Sequence, residues 1–156
     1  MNQNDQTIYL TKDGLIELKS ELKVLKDDKR PDLLLRLQAA REKGDLSENA
    51  EYTTAKEELN LLDGRIEELE EIISKAKVAV ATKGKKIQIG SKITVEIKGK
   101  EHQFTVVGEW EADPKEKKIS HDSPLGQALI GKVKGEQVEV NAPAGIINYK
   151  ISEVHN

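Results

Sequence analysis

The sequence has no cysteine. That excludes disulfides, thiolate metal sites and a cysteine nucleophile. Aromatic residues make up only 3% of the 156 positions, too few for one large core built on rings. No stretch approaches the roughly 18 apolar residues of a membrane span. The start, MNQNDQTIYL, lacks the basic region and apolar run of a signal peptide. A soluble cytoplasmic chain without membrane contact is expected. The formal net charge is only −3, so bulk attraction to nucleic acid or a membrane surface is not expected either. Catalytic motifs are also missing: there is no glycine-rich phosphate loop and no nucleophile elbow. His102, His121 and His155 are scattered without metal-ligand spacing and read as surface or loop histidines.

Charge is what the chain has in plenty, at 34% of residues. This composition fits long solvated helices plus a small globular unit. Residues 12 to about 80 read as helix almost throughout. Tyr52, Ala55, Leu59, Leu62, Ile66, Leu69, Ile73, Ala76 and Val80 alternate by three and four, a heptad seam. Leu15, Leu18, Leu22 and Leu25 keep the same rhythm until Pro31, which lacks a backbone donor and clashes with the preceding turn. The pattern resumes, shifted, at Leu33, Leu37 and Ala40, so a kinked first helix is expected. Gly44 is a natural helix stop between the two arms. The arms form an antiparallel hairpin, roughly 28 residues each and on the order of 40 Å long.

Charge supports the pairing. Lys12 to Lys43 holds nine basic and seven acidic residues, whereas Asp45 to Glu71 holds ten acidic and two basic. A mildly basic arm therefore faces a strongly acidic one. A hairpin that long cannot wrap around anything, so its tip must stand clear.

Past about Lys77 the texture changes. Lys83, Gly84, Lys85 and Lys86 look like a solvated linker. Period-two strands follow at Ile93, Val95, Ile97; Phe104, Val106; Val138, Val140; and Tyr149, Ile151, with NAPAG (residues 141–145) as a turn. One short helix is expected after Ser123 as N-cap and Pro124, ending before Gly131. The fold class is α+β, with a coiled-coil hairpin over 1–80, its acidic tip at 44–52, and a small α+β domain over 81–156.

The tip, GDLSENAEY from Gly44 to Tyr52, is where chemistry could reside. Asp45, Glu48 and Glu51 recur at every third position, so those on the helix share a face. Asp45 with Glu48 resembles a capping box, and acids favour a helix N-terminus. The same two carboxylates at the end of a rod could instead ligate a hard cation such as Mg²⁺.

That segment, with Arg41 and Lys43 before it and Lys56 after it, resembles the tip of GreA-type transcript cleavage factors. So do the lead-in around Arg30 and Pro31 and the stretch ISHDSPLGQALIGK from Ile119 to Lys132. The resemblance covers nearly the whole chain from Thr11 onward. It implies a monomer that binds bacterial RNA polymerase and inserts its coiled coil through the secondary channel. The target is a backtracked complex, with the nascent RNA 3′ end extruded. Asp45 and Glu48 would be the catalytic acids, sharing Mg²⁺ with the polymerase active site in a two-metal hydrolysis. The free protein would carry no cofactor and would be no enzyme, only an activator of the polymerase's intrinsic cleavage. Carboxylates in this role need placement on a rigid support rather than shifted pKa values.

The resemblance assigns RNA contact to Arg41 and Lys56; as plain helix charges they would be solvated or paired with Glu42 and Glu48. Lys29, Arg30 and Arg36 extend the basic patch, whose modest size suits the GreA rather than the GreB type. The second domain is similar to the family's C-terminal domain, whose fold is like that of FK506-binding prolyl isomerases, a likeness that confers no isomerase activity. It implies docking on a coiled coil of the polymerase β′ subunit through Asp122, Ser123 and Pro124, which also read simply as a capped helix start. Trp110 is either a core anchor or part of that surface. Three other functions compete: a secondary-channel inhibitor of polymerase, which would have altered tip acids; a non-catalytic coiled-coil interaction protein; and a free-standing metal nuclease, for which two acids without a pocket make a poor site.

Overall fold

The computed structural model describes residues 6–45 and 49–156. The chain divides into two compact units. One is Ile16–Lys75; the other joins Leu15 and the described residues before it to Ala76–Asn156.

The helical unit is an antiparallel hairpin. Its first arm comprises α1 (Lys12–Val24), a π turn over Leu25–Lys29 and α2 (Arg30–Glu42); its return arm is α3 (Ala50–Lys75). The buried residues of the first arm are Leu18, Leu25, Leu33 and Ala40. Their spacing is seven, eight and seven, and the extra residue falls at the π turn. There the Arg30 N–H bonds to the Leu25 carbonyl, five residues back rather than four. Pro31, just beyond, has no N–H to offer. The expected interruption is therefore a single wide turn, which absorbs one residue and returns the leucines to one face. Val24, Lys29 and Arg30 all keep right-handed helical backbone.

From α3 the hairpin buries Ala55, Ile66, Leu69 and Ile72. Leu69 is wholly buried, which stabilises the seam by about 2 kcal/mol. Four ion pairs cross the seam in falling order along α3, Lys26 with Glu70, Arg30 with Asp63, Arg36 with Glu58 and Lys43 with Glu51, while a fifth, Glu21 with Arg65, reaches across out of that order. The order of the four is the antiparallel register. Each pair is roughly half exposed, so solvent screens it and the apolar seam carries most of the stability. The Arg30 guanidinium grips Asp63 at 2.7 and 3.2 Å, and this hydrogen bond holds the Asp63 carboxyl below its usual range.

Two parts of the helical pattern end otherwise than expected. The heptad pattern runs on to Val80, but α3 stops at Lys75. Ala76–Val78 is a strand, β2, paired in parallel with β1 (Ile8–Leu10), and Val80 is exposed. In the last turns Ile72 is buried and Ile73 only half-buried.

The globular unit carries a five-stranded sheet in the order β5-β4-β3-β7-β6. Its strands are β3 (Lys92–Ile97), β4 (Lys100–Val107), β5 (Lys118–Ser120), β6 (Gln137–Ala142) and β7 (Gly145–His155). All pairings are antiparallel except β4 with β5. The strands expected from period-two patterning are present, and the NAPAG segment is the turn between β6 and β7. The core is Ile87, Ile93, Val95, Val106, Val138 and Ile151, closed by Leu129 from the short helix α4 (Pro124–Leu129). Gly108 lets the backbone pass close to β1: a Cβ there would lie 1.9 Å from the Tyr9 carbonyl oxygen. The Lys83–Lys86 stretch is exposed but tethered, because the Asn156 side-chain amide donates to the carbonyls of Gly84 and Lys86. Among the described residues no helix is long and apolar enough to cross a membrane.

Candidate functional site

Helix α2 ends at Glu42, and Gly44 follows with a φ of 127°, a left-handed conformation that glycine tolerates. Asp45 comes next and is exposed. Glu48, the second expected acid, lies outside the described residues.

Helix α3 does not start from Asp45. Its N-cap is Asn49, whose Oδ1 accepts the Tyr52 N–H at 3.2 Å. The same side chain donates from Nδ2 to the Ala40 carbonyl at 2.6 Å. One residue thus satisfies an orphan donor at the head of α3 and adds a second donor to an Ala40 carbonyl that already accepts the Lys43 N–H at 3.3 Å. Lys43 and Glu51 close the same end with an ion pair of 2.6 Å. Beside it a groove of about 540 Å³ has an alanine-rich floor flanked by the long side chains of Arg36, Lys43 and Glu51. Asn49 was missed by sequence reasoning. Its signal was available, since asparagine directly before a periodic apolar run is a helix-start pattern.

The tip cations divide into two kinds. Arg41, in the last turn of α2, and Lys56, in α3, are both exposed, and neither has an acidic partner among the described residues. Arg30 and Arg36 are instead engaged across the hairpin. Among the described residues no group of three or more histidines and carboxylates is placed to hold a metal ion. Asp45 contributes an exposed carboxylate, a hard oxygen donor of the type Mg²⁺ takes.

In the globular unit, Ser123 caps α4. Its hydroxyl accepts the Gly126 N–H at 3.0 Å and donates to the Ser120 carbonyl at 2.6 Å. Gly126 is needed there, because a Cβ would lie 2.0 Å from that Ser120 oxygen. With the serine hydroxyl so engaged, Asp122 and Pro124 remain as the exposed members of the trio. His121 adjoins them. It is half-buried rather than a free surface histidine, with its Nε2 3.2 Å from Asp122 and its ring edge-on to Tyr9 at 6.1 Å. Trp110 sits in a short 3-10 turn and is 43% exposed, so it is no core anchor.

Comparison with known proteins gives two family matches. Residues 8–78 match the model described as transcription elongation factor, N-terminal, and residues 81–156 match that for transcription elongation factor, GreA/GreB, C-terminal. The chain is similar to transcription elongation factor GreA of Hyphomonas neptunium, at 42% identity over 96% of this chain and 98% of that one. It is similar at 43% identity to GreA of Rhodospirillum rubrum, over 96% of this chain and 98% of the relative. Among solved structures, GreA factor homolog 1 of Thermus thermophilus is similar at 28% identity, with a TM-score of 0.46, over 97% of this chain and 100% of that one.

Proposed function

This chain belongs to the GreA/GreB family of transcription elongation factors, and from that premise we propose that it stimulates the cleavage of backtracked nascent RNA by bacterial RNA polymerase in the cytoplasm. It binds polymerase as a monomer and enters the secondary channel tip first. The reaction belongs to the polymerase; the chain is not itself an enzyme.

The observation that carries this reading is the construction of the tip. A rod's end is useful only if it is stiff, and here Asn49 and the Lys43–Glu51 pair fasten both arms beside an exposed Asp45. Asp45 and Glu48 would hold Mg²⁺ jointly with the polymerase, where the ion supplies Lewis acidity and a bound water as nucleophile. Asp45 would serve as an oxygen ligand to the ion rather than as an acid or base. Arg41 and Lys56 lack acidic partners among the described residues, so their charge is available to the phosphates of the extruded RNA 3′ segment. Asp122 and Pro124, with Ser123 holding the turn, dock on the β′ coiled coil. The five-stranded mixed sheet with α4 laid on it supports a likeness to FK506-binding proteins, used here for docking and not for isomerisation.

The test is RNA cleavage by purified backtracked polymerase in Mg²⁺. The parent chain should stimulate cleavage, and the chain without polymerase should hydrolyse nothing. The Asp45→Ala, Glu48→Ala double variant should bind polymerase without stimulating it. Undiminished stimulation by that variant, or robust hydrolysis by the chain alone, overturns the proposal.

A further inference from the structure

The globular unit carries a second surface, at the far end of α4 from Ser123 and Pro124. Beyond Leu129 the chain passes through Ile130 and Gly131, and the Ile87 backbone bonds to Gly131 and Lys132 at 2.8 Å each. Lys86 bridges to Val133 in antiparallel fashion. The result is a groove of about 700 Å³ whose lining includes the apolar Ile87, Ile130 and Val133, the polar Gln88, and Lys85 and Lys86. Ile130 stands 38% exposed within it.

The rim of this groove is unusual for the molecule. An antiparallel bridge between 86 and 133 sets Lys85 opposite Lys134, and like charges placed opposite each other repel. Lys83 adds a third positive charge on the same stretch. Among the described residues Lys83, Lys85, Lys86 and Lys134 have no acidic partner. Glu136, the acid of this region, is taken up by the Val133 N–H at 2.7 Å and by Lys132. A chain of net charge −3 thus concentrates uncompensated positive charge around one apolar groove. The segment is also held in place, by Asn156 on the carbonyls of Gly84 and Lys86 and by Gln88 on that of Thr82.

We propose that this groove binds an acidic polypeptide segment of a partner protein, seating one apolar side chain against Ile130 and Val133 while carboxylates meet the lysine rim. A polypeptide fits better than a nucleic acid. The groove offers no aromatic ring or arginine plane on which a base could stack, and its apolar floor has no use for a phosphate backbone. The interaction is electrostatically steered and salt-sensitive, with the apolar anchor setting its lifetime.

The experiment is an amide NMR titration of the full chain with a synthetic peptide of leucine flanked by glutamate and aspartate. Shifts should be confined to Lys85–Gln88 and Ile130–Lys134. A Lys85→Glu, Lys86→Glu double variant should bind roughly tenfold more weakly or worse. Ile130→Ser should also weaken binding, with the remaining spectrum unchanged because Ile130 is a surface residue. Polyglutamate should bind more weakly than the leucine-bearing peptide. The proposal is overturned if the peptide shifts other residues or none, if polyglutamate binds as tightly, or if a single-stranded RNA oligonucleotide occupies the groove in preference to the peptide.

Discussion

Replacing Asn49 tests the rigidity of the tip most directly. Asn49→Ala removes an N-cap, at about 1 kcal/mol. It also removes the half-buried bond to the Ala40 carbonyl, at about 1 kcal/mol. Together, about 2 kcal/mol is lost at one end of the hairpin, a roughly 30-fold change in the local opening equilibrium. The effect should stay local, because Leu25, Leu33, Ile66 and Leu69 hold the seam elsewhere. Hydrogen exchange of the Tyr52 amide, the one bonded to Asn49, should accelerate by up to that factor while exchange near Leu69 is unchanged. Asn49→Asp separates the two contributions. It keeps the capping oxygen and suits the helix N-terminus, but it cannot donate to Ala40, so about half the loss should remain. Transcript cleavage should fall in the order parent, Asp, Ala, with polymerase binding preserved. Parental exchange at Tyr52 in the Ala variant would refute the cap. An Asp variant identical to the parent would refute the clamp to Ala40.

Gly108→Ala and Gly126→Ala should each lower the melting temperature of the globular unit, by about 1–3 kcal/mol or more of stability, since their Cβ atoms meet backbone oxygens. Gly64→Ala is the control: it lies within α3 with open space around it and should stabilise the hairpin by about 0.5–1 kcal/mol. The Arg30 bond holds the Asp63 carboxyl low, so its contribution is complete above the ordinary aspartate range near pH 4 and is lost as pH falls through the lowered value. Asp63→Asn should therefore flatten the acid limb of the hairpin's stability curve, and an unchanged limb would show that the pair does not act in solution. Arg41→Glu should weaken the response to backtracked complexes more than to complexes without an extruded 3′ segment, with an altered salt dependence; equal losses in both would return Arg41 to the solvated face.

The hairpin was legible because its signal is local. Leucines at heptad spacing and a basic arm facing an acidic one need no tertiary knowledge. The π turn was half legible: Pro31 and the shifted leucines marked the place, but whether a helix kinks or swallows a residue depends on the opposing arm. The end of α3 was not legible. Ala76 and Val80 continue the three-four rhythm, yet Ala76–Val78 is claimed by Ile8–Leu10, a partner far away in sequence that leaves no periodic trace. In the globular unit, Ser123 could be read as the helix cap from residue type and its place before Pro124. Asn49 was hidden among acids that are themselves good cap residues, and the lysine rim was hidden because a run of Lys and Gly reads as solvent-facing linker until Val133 is seen beside it.

The pairing of β1 with β2 has a consequence for the order of synthesis. The strand made first, Ile8–Leu10, finds its partner only when Ala76–Val78 has been made. Everything between them is the hairpin. The intervening helices rely on near-neighbour contacts and can zip together early, as segments of low contact order do. The globular unit must wait for the ribosome to release its last strands, because β7 lies in the interior of the sheet between β3 and β6. The chain therefore completes its hairpin before its sheet, and β1 waits unpaired until Ala76–Val78 emerges, as an apolar strand that a nascent-chain chaperone would be expected to cover.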